Sequence, residues 1–363
     1  MRFRHLIALG LTACATATPG VAPNVVPDAW TRVETAPRID AAGWRDGHVV
    51  AGLSDSAAGP TAMRIVRTAT GEKIVNGAKD VTPSYAAIDS FDYLPERHEV
   101  IFSAKRDKSF DIGLAADDGS EIHWVPEDPA DETNVKWAPA GNKVTFLVRG
   151  KIGTLVRTVH VPTSTQLTVD FPFASIRSFA YEPSGQRYAV VYSTPDASDR
   201  IESVKYGGEE RRLERAPAAK LDVNVDRRGD AVLLTPAALR YNERLPLVVW
   251  IASDPLAWND ARAALMRRSR LACAVMAREP DAAFWTSMRE LPWVDPNRFF
   301  VVGSAASEQP ATVIMASTDV PAGHFVQRRN FVLVPAGIVE SFAAGFVADQ
   351  LKGTSPSDGH QHR

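Results

Sequence analysis

Apolar positions are patterned differently in the two halves of this chain. Between about residues 40 and 215 they alternate with polar ones in short runs such as VIFSA, KVTFLV and YAVVY, the period of half-buried strands. Three stretches, FDYLPERHEVIFSA, VKWAPAGNKVTFLV and FAYEPSGQRYAVVY, share one plan: an aromatic residue, a proline two positions on, a tight turn, then an alternating strand. Their prolines, Pro95, Pro139 and Pro183, lie 44 residues apart. In the middle unit KVTFLVRG is followed by TLVRTVHV and TQLTV, so each unit predicts four short strands, the repeat of a β-propeller blade. Tyr93, Trp137 and Tyr181 are expected to pack between blades. An earlier unit, from GWRDGHVVAGLSDS through AMRIVRTATGEKIV, follows the plan with a less regular turn. A fifth unit is drawn either from the N-terminal stretch or from VNVDRRGDAVLL, although the latter reads better as a hairpin opening the second half.

In that second half the apolar residues form continuous runs, LVVWIA, LACAVMA, RFFVVG and NFVLVPA, as expected of strands covered on both faces. Between and after them come stretches that predict helices: WNDARAALMRR, begun by Asp254 and Pro255; PDAAFWTSMREL; ATVIMAST; and VESFAAGFVADQLKG. In the last, Val339, Phe342, Phe346 and Val347 share a face and Gly353 fits the stop. Alternating strands and helices predict a mostly parallel sheet with helices on both sides.

These features carry a resemblance. The repeats resemble the Trp-Ser-Pro-Asp-Gly units of Tol-Pal-type and prolyl-oligopeptidase propellers. Pro236, Asn242-Glu243-Arg244, Leu245-Pro246 and LVVWIA resemble the entrance to a prolyl-oligopeptidase-type hydrolase domain. Val294, Asp295, Pro296 and Arg298 resemble the lead into its nucleophile strand. The implied fold is a β-propeller-like all-β N-terminal domain plus a reduced α/β-hydrolase-like C-terminal domain with a mostly parallel sheet. The implied activity is acyl transfer, which needs a serine on a strained Gly-x-Ser-x-Gly elbow, backbone N–H donors for the oxyanion, and a later acid and histidine.

This sequence departs from that pattern three times. The elbow reads Gly303-Ser304-Ala305-Ala306-Ser307, with alanine in the nucleophile position. The oxyanion loop, often His-Gly-Gly-Pro, reads Ala252-Ser253-Asp254-Pro255. After Ala305 the only histidines are His324, His360 and His362, the last two in the polar tail. Glu340 stands at a plausible acid-loop position with no histidine before that tail to follow it. The domain is also short, about 130 residues from Leu221 to Lys352.

The N-terminus adds a compartment. MRFRH, the apolar run LIALGLTA and Leu11-Thr12-Ala13-Cys14 follow the order of a signal peptide ending in a bacterial lipobox, with Cys14 the acylated residue. Ala15 after the cysteine suggests sorting to the periplasmic face of an outer membrane. The expected divisions are a signal peptide at 1–13, a flexible tether at 14–35, the propeller-like domain at 36–216, the hydrolase-like domain at 217–352 and a disordered tail at 353–363. A net charge of -2 points to no nucleic-acid partner. Cys273, the one cysteine besides Cys14, lies in an apolar run and is expected to be buried and inert. No cofactor or metal site is expected.

The leading expectation is therefore a non-catalytic, lipid-anchored envelope protein, a pseudo-hydrolase that holds a protein or peptide. Two alternatives stay open. One is an active serine peptidase or esterase using Ser304 or Ser307 with His324 as base. The other is a small-ligand or glycan binder using the aromatic side chains of Trp250, Trp258, Trp285 and Trp293.

Overall fold

The computed structural model describes residues 24–52, 63–125, 129–150, 153–303, 311–317, 320, 322, 324–328 and 331–352. The described chain is mostly β, in six sheets. It opens with β1 (Asn24–Val25) and the one-turn helix α1 (Asp28–Thr31), then the hairpin β2 (Ala42–Arg45) and β3 (His48–Ala51). A three-stranded sheet follows, β4 (Met63–Thr68), β5 (Gly71–Asn76) and β6 (Lys79–Asp80). Three antiparallel four-stranded blades come next. They are β7 (Ile88–Leu94), β8 (Glu99–Lys105), β9 (Phe110–Ala116) and β10 (Ile122–Trp124); β11 (Glu132–Trp137), β12 (Lys143–Arg149), β13 (Gly153–His160) and β14 (Thr165–Pro172); and β15 (Ser175–Tyr181), β16 (Arg187–Thr194), β17 (Ala197–Lys205) and β18 (Arg211–Arg215).

The three repeats are thus the three full blades. Phe146 and Phe179 are each within 1% of full burial in the layers between neighbouring blades, and Phe102 is fully buried on the outer face of the first. The repeat spacing becomes contact between blades: the backbone N–H groups of Asn134, Val135 and Trp137 on β11 donate to the side chains of Asp89, Ser90 and Asp92 on β7, at 2.7, 3.0 and 2.8 Å. Trp137 and Tyr181 are buried between blades as expected, whereas Tyr93 is half-buried and donates its hydroxyl to Asp117 at 2.8 Å. The earlier unit departs from the plan. It forms two separate sheets: Ile39, Ala42 and Trp44 pack β2–β3 against Ala189, Val191 and Ile201 of the last blade, while Ile65 and Ile74 pack β4–β6 against Val100 and Phe102 of the first.

The second half contains β19 (Val223–Arg228), β20 (Ala231–Pro236), β21 (Leu245–Ile251), α2 (Asp260–Arg268), β22 (Ala272–Met276), α3 (Ala282–Arg289), β23 (Val294–Val302), β24 (Thr312–Ser317), β25 (His324–Arg328), β26 (Phe331–Pro335) and α4 (Val339–Lys352). With β1 these strands make one nine-stranded sheet, β1-β25-β26-β24-β23-β21-β22-β20-β19. Its five central strands, β22, β21, β23, β24 and β26, are parallel. Val248 and Trp250 face α2 and α4 on one side, and Leu247 and Val249 face α3 on the other. The hairpin β19–β20 joins this sheet through β22, so VNVDRRGDAVLL is not a blade.

Three expectations fail here. ATVIMAST is strand β24 rather than a helix after the elbow: Val313 packs on one face of the sheet and Ile314 on the other, an alternation only a strand produces. Asp254-Pro255 does not cap α2; Asn259 does, accepting from Arg262 N–H at 2.8 Å. The stretch expected to be a tether is folded from Asn24 on. There β1 pairs with β25, and Trp30 packs its ring against Phe325, Phe342 and Phe346 and donates Nε1–H to Asp349 at 3.1 Å.

Candidate functional site

In an open parallel sheet, chemistry sits at the carboxyl ends of the strands. Here those ends are the loops after Ile251, Val302 and Pro335. Gly303 closes β23 with φ +88°, and its N–H donates to Ile314 O at 3.0 Å. A Cβ at this position would also lie 3.2 Å from Ile251 O, a tight approach, so the positive φ favours glycine and the space adds to that preference. Ser304, Ala305, Ala306 and Ser307 lie outside the described residues. Nine positions, 303–311, join β23 to its parallel neighbour β24, fewer than the dozen or more that a crossover with a helix takes.

His324 starts β25, half-buried, and Nδ1 donates to Ala322 O at 3.1 Å. Strands β26 and β24 separate it from β23. Three ladder spacings put about 14 Å between the strands of His324 and Val302. Glu340, at the expected acid position, accepts from Trp250 Nε1 at 3.4 Å and Asn259 Nδ2 at 2.8 Å. Among the described residues Glu340 and His324 thus each bond to other groups.

The loop after β21 is used differently. The Asp254 carboxylate accepts from Arg149 Nη2 at 2.7 Å, from Ser175 Oγ at 2.5 Å and from its own loop at Leu256 N, 3.1 Å. Arg149 ends β12 and Ser175 begins β15, so one carboxylate ties the sheet to two blades. Around it, Trp258 N–H donates to Ser193 Oγ at 3.2 Å. Arg262, 1% exposed, donates to Pro195 O at 3.2 Å and Ala257 O at 2.8 Å, and burial lowers its pKa. The contacts from this loop and α2 to the blades join residues 65 to 105 positions apart, so no spacing within the sequence announces them.

Chemically, the loop after β21 presents a carboxylate held by a guanidinium, a hydroxyl and a backbone N–H. The tryptophans are spent on packing. Trp250 and Trp285 are 0% and 4% exposed on opposite faces of the sheet, Trp293 packs against the Trp285 side, and Trp258 donates to Asp260 at 2.7 Å. Cys273 is buried, and burial pushes its thiol up to about 12. Among the described residues no group of three or more His, Cys, Asp or Glu could hold a metal, and no helix is long and apolar enough to cross a membrane. Cys14, His360 and His362 lie outside the described residues.

No family model matches the chain, and no curated protein matches it. Solved structures do. The chain is similar to the acylaminoacyl peptidase of Pyrococcus horikoshii at 10% identity and a TM-score of 0.48, over 66% of this chain and 45% of that one. It is similar to dipeptidyl peptidase 4 of Porphyromonas gingivalis at 11% identity and a TM-score of 0.47, over 66% of this chain and 42% of that one. A putative TolB of Agrobacterium tumefaciens matches at 13% identity and a TM-score of 0.35, over 51% of this chain and 70% of that one. The chain thus spans less than half the length of the two peptidases. At these scores the likenesses assign it no residue role and no activity.

Proposed function

We propose that this chain is a non-catalytic binding protein of the cell envelope, anchored by lipid at Cys14, in which a reduced hydrolase-like sheet supports a propeller-like domain that holds a protein or peptide. The observation that carries the reading is Asp254. Its carboxylate, in the loop that resembles an oxyanion loop in sequence, is held by Arg149 and Ser175. A negative charge in that place opposes acyl transfer and suits a fixed joint between domains. The distance of His324 from β23, and the strand that stands where an elbow helix would be, support the same reading.

The test is labelling of the folded protein with a fluorophosphonate probe, beside Ser304→Ala and Ser307→Ala variants. The expected outcome is no labelling of any of the three. Labelling of the parent that one variant abolishes would make that serine a live nucleophile and overturn the proposal.

A further inference from the structure

The opposite end of the nine-stranded sheet, away from the propeller, has a chemistry of its own. Strands β21, β22 and β23 begin there, and α2 and α4 end there. A cleft of about 400 Å³ at this base is lined by Arg244, Arg268, Arg270, Arg298 and Lys352, against a single acid, Glu243. A second cleft of about 240 Å³ adjoins it, shares Arg268 and Arg270, and adds Arg267 and Asp222. Cations at helix C-termini complement the helix dipole, which accounts for Arg267, Arg268 and Lys352. It does not account for Arg244, which lies in the loop before β21.

That loop, residues 237–244, is the second observation. It displays Tyr241, 94% exposed, and Leu239, 41% exposed, two of the five large hydrophobic residues exposed among the described residues. The display is braced. Asn242 has φ +55°, Glu243 N–H donates to Arg240 O at 3.1 Å, and the Glu243 carboxylate accepts from Arg240 N–H at 2.9 Å. Arg270 grips Glu243 with two nitrogens and also donates to Ala238 O at 2.5 Å. The guanidinium beside Glu243 holds its carboxyl down at about 2, so the brace stays charged. A turn fixed from behind by an ion pair holds an aromatic and an aliphatic side chain out into solvent, between arginines.

The N-terminal segment meets the sheet elsewhere. β1 is antiparallel to β25, which is itself antiparallel to the central strands, so β1 runs with the central strands, and its pairing with Phe325 and His324 sets Asn24 beside the carboxyl end of β26. From Cys14 to that point the chain reaches at most about 35 Å.

We infer that the base of the sheet docks on an anionic phospholipid bilayer, with Leu239 and Tyr241 entering the interfacial layer and the surrounding arginines and Lys352 meeting lipid phosphates. Tyrosine is suited to that layer because its ring is apolar and its hydroxyl stays wet. Basic residues near an anionic surface add attraction one by one. The inference builds on the lipid-anchor part of the proposed function but does not need it, since the face binds by its own side chains.

The experiment is vesicle sedimentation of the full chain carrying Cys14→Ser, so that no acyl chain contributes. Mixed phosphatidylglycerol and phosphatidylcholine vesicles are compared with phosphatidylcholine alone. The N-terminal segment is the same in every variant, so differences between variants report the face. The inference expects a clear preference for the anionic vesicles that falls at high salt. Arg244→Ser and Lys352→Ser should each weaken binding about fivefold, and Tyr241→Ser with Leu239→Ser several-fold, with unchanged circular dichroism. Equal binding to both vesicles, or anionic binding that none of these variants moves, overturns it. Binding lowered by the charge variants but indifferent to Tyr241→Ser and Leu239→Ser also overturns it, because it would mark a general basic surface. Mass spectrometry of the parent protein's Cys14 separates the two readings. An unmodified Cys14 with the preference intact removes the anchor and keeps the docking face.

Discussion

At the scale of single residues, Gly345 shows how position overrides propensity. A glycine inside a helix is destabilising by about 0.5–1 kcal/mol relative to alanine, so Gly345→Ala in α4 would ordinarily strengthen the helix. Here a Cβ would lie 2.2 Å from Trp30 Cα and 2.5 Å from Trp30 Cβ. The Trp30 ring is held edge-on against Phe342 and Phe346 and cannot retreat without losing both. The expected outcome of Gly345→Ala is a net loss of about 1–3 kcal/mol, the range of overpacking, measured as a lower urea midpoint, together with faster proteolysis before residue 36. A raised midpoint with unchanged proteolysis would mean that α1 is not seated on α4. The sequence contains both partners, but 315 positions separate them, and an Ala- and Pro-rich stretch before Trp30 reads as a tether until its one aromatic residue finds a groove.

At the scale of elements, what was legible depended on whether a local pattern had one solution. The proline, turn and alternating strand of each blade has one, and all three blades form. Continuous apolar runs such as LVVWIA have one once flanking helices are assumed, and the central strands form in parallel. ATVIMAST has two: it is short and apolar, and it fits both a strand and the helix that a serine hydrolase needs after its elbow. Its β-branched Thr312, Val313 and Ile314 favour a strand, and its neighbours β23 and β26 leave a parallel slot between them. Asp254 reads from its sequence neighbours as a cap, while its partners Arg149 and Ser175 lie in two blades. Ile314 is the place to test the strand. It is 0% exposed and lies in the core beneath α4. Ile314→Ala should cost about 2–5 kcal/mol. Ala316, two positions on, is exposed, and Ala316→Ser should change stability by less than about 0.5 kcal/mol. Comparable losses at both would contradict the placement of β24.

At the scale of the whole molecule, the joint between propeller and sheet turns on a small number of polar contacts. The Asp254–Arg149 pair is open to water, with side chains 31% and 54% exposed, so alone it adds only about 0.2–1 kcal/mol. The half-buried bond from Ser175 adds a further ~0.5–1.5 kcal/mol. Asp254→Ala should therefore lower stability by about 1–2 kcal/mol, and a double-mutant cycle with Ser175→Ala should show positive coupling, since both groups act through one carboxylate. A catalytic remnant predicts a different result. A carboxylate left over in an oxyanion loop is electrostatically unfavourable, and its removal would leave stability unchanged or raise it. Urea unfolding of the parent, the two single variants and the double variant decides between them. A joint built on Asp254 also bears on orientation. If the base of the sheet lies on a bilayer and the joint is firm, the blades face away from the membrane, and a partner meets them on the solvent side. Weakening Asp254 should then leave vesicle binding unchanged while loosening the propeller, so protease sites between residues 149 and 175 should become accessible on membrane-bound protein. Loss of vesicle binding in Asp254→Ala would instead mean that the two ends of the sheet are coupled through the strands between them.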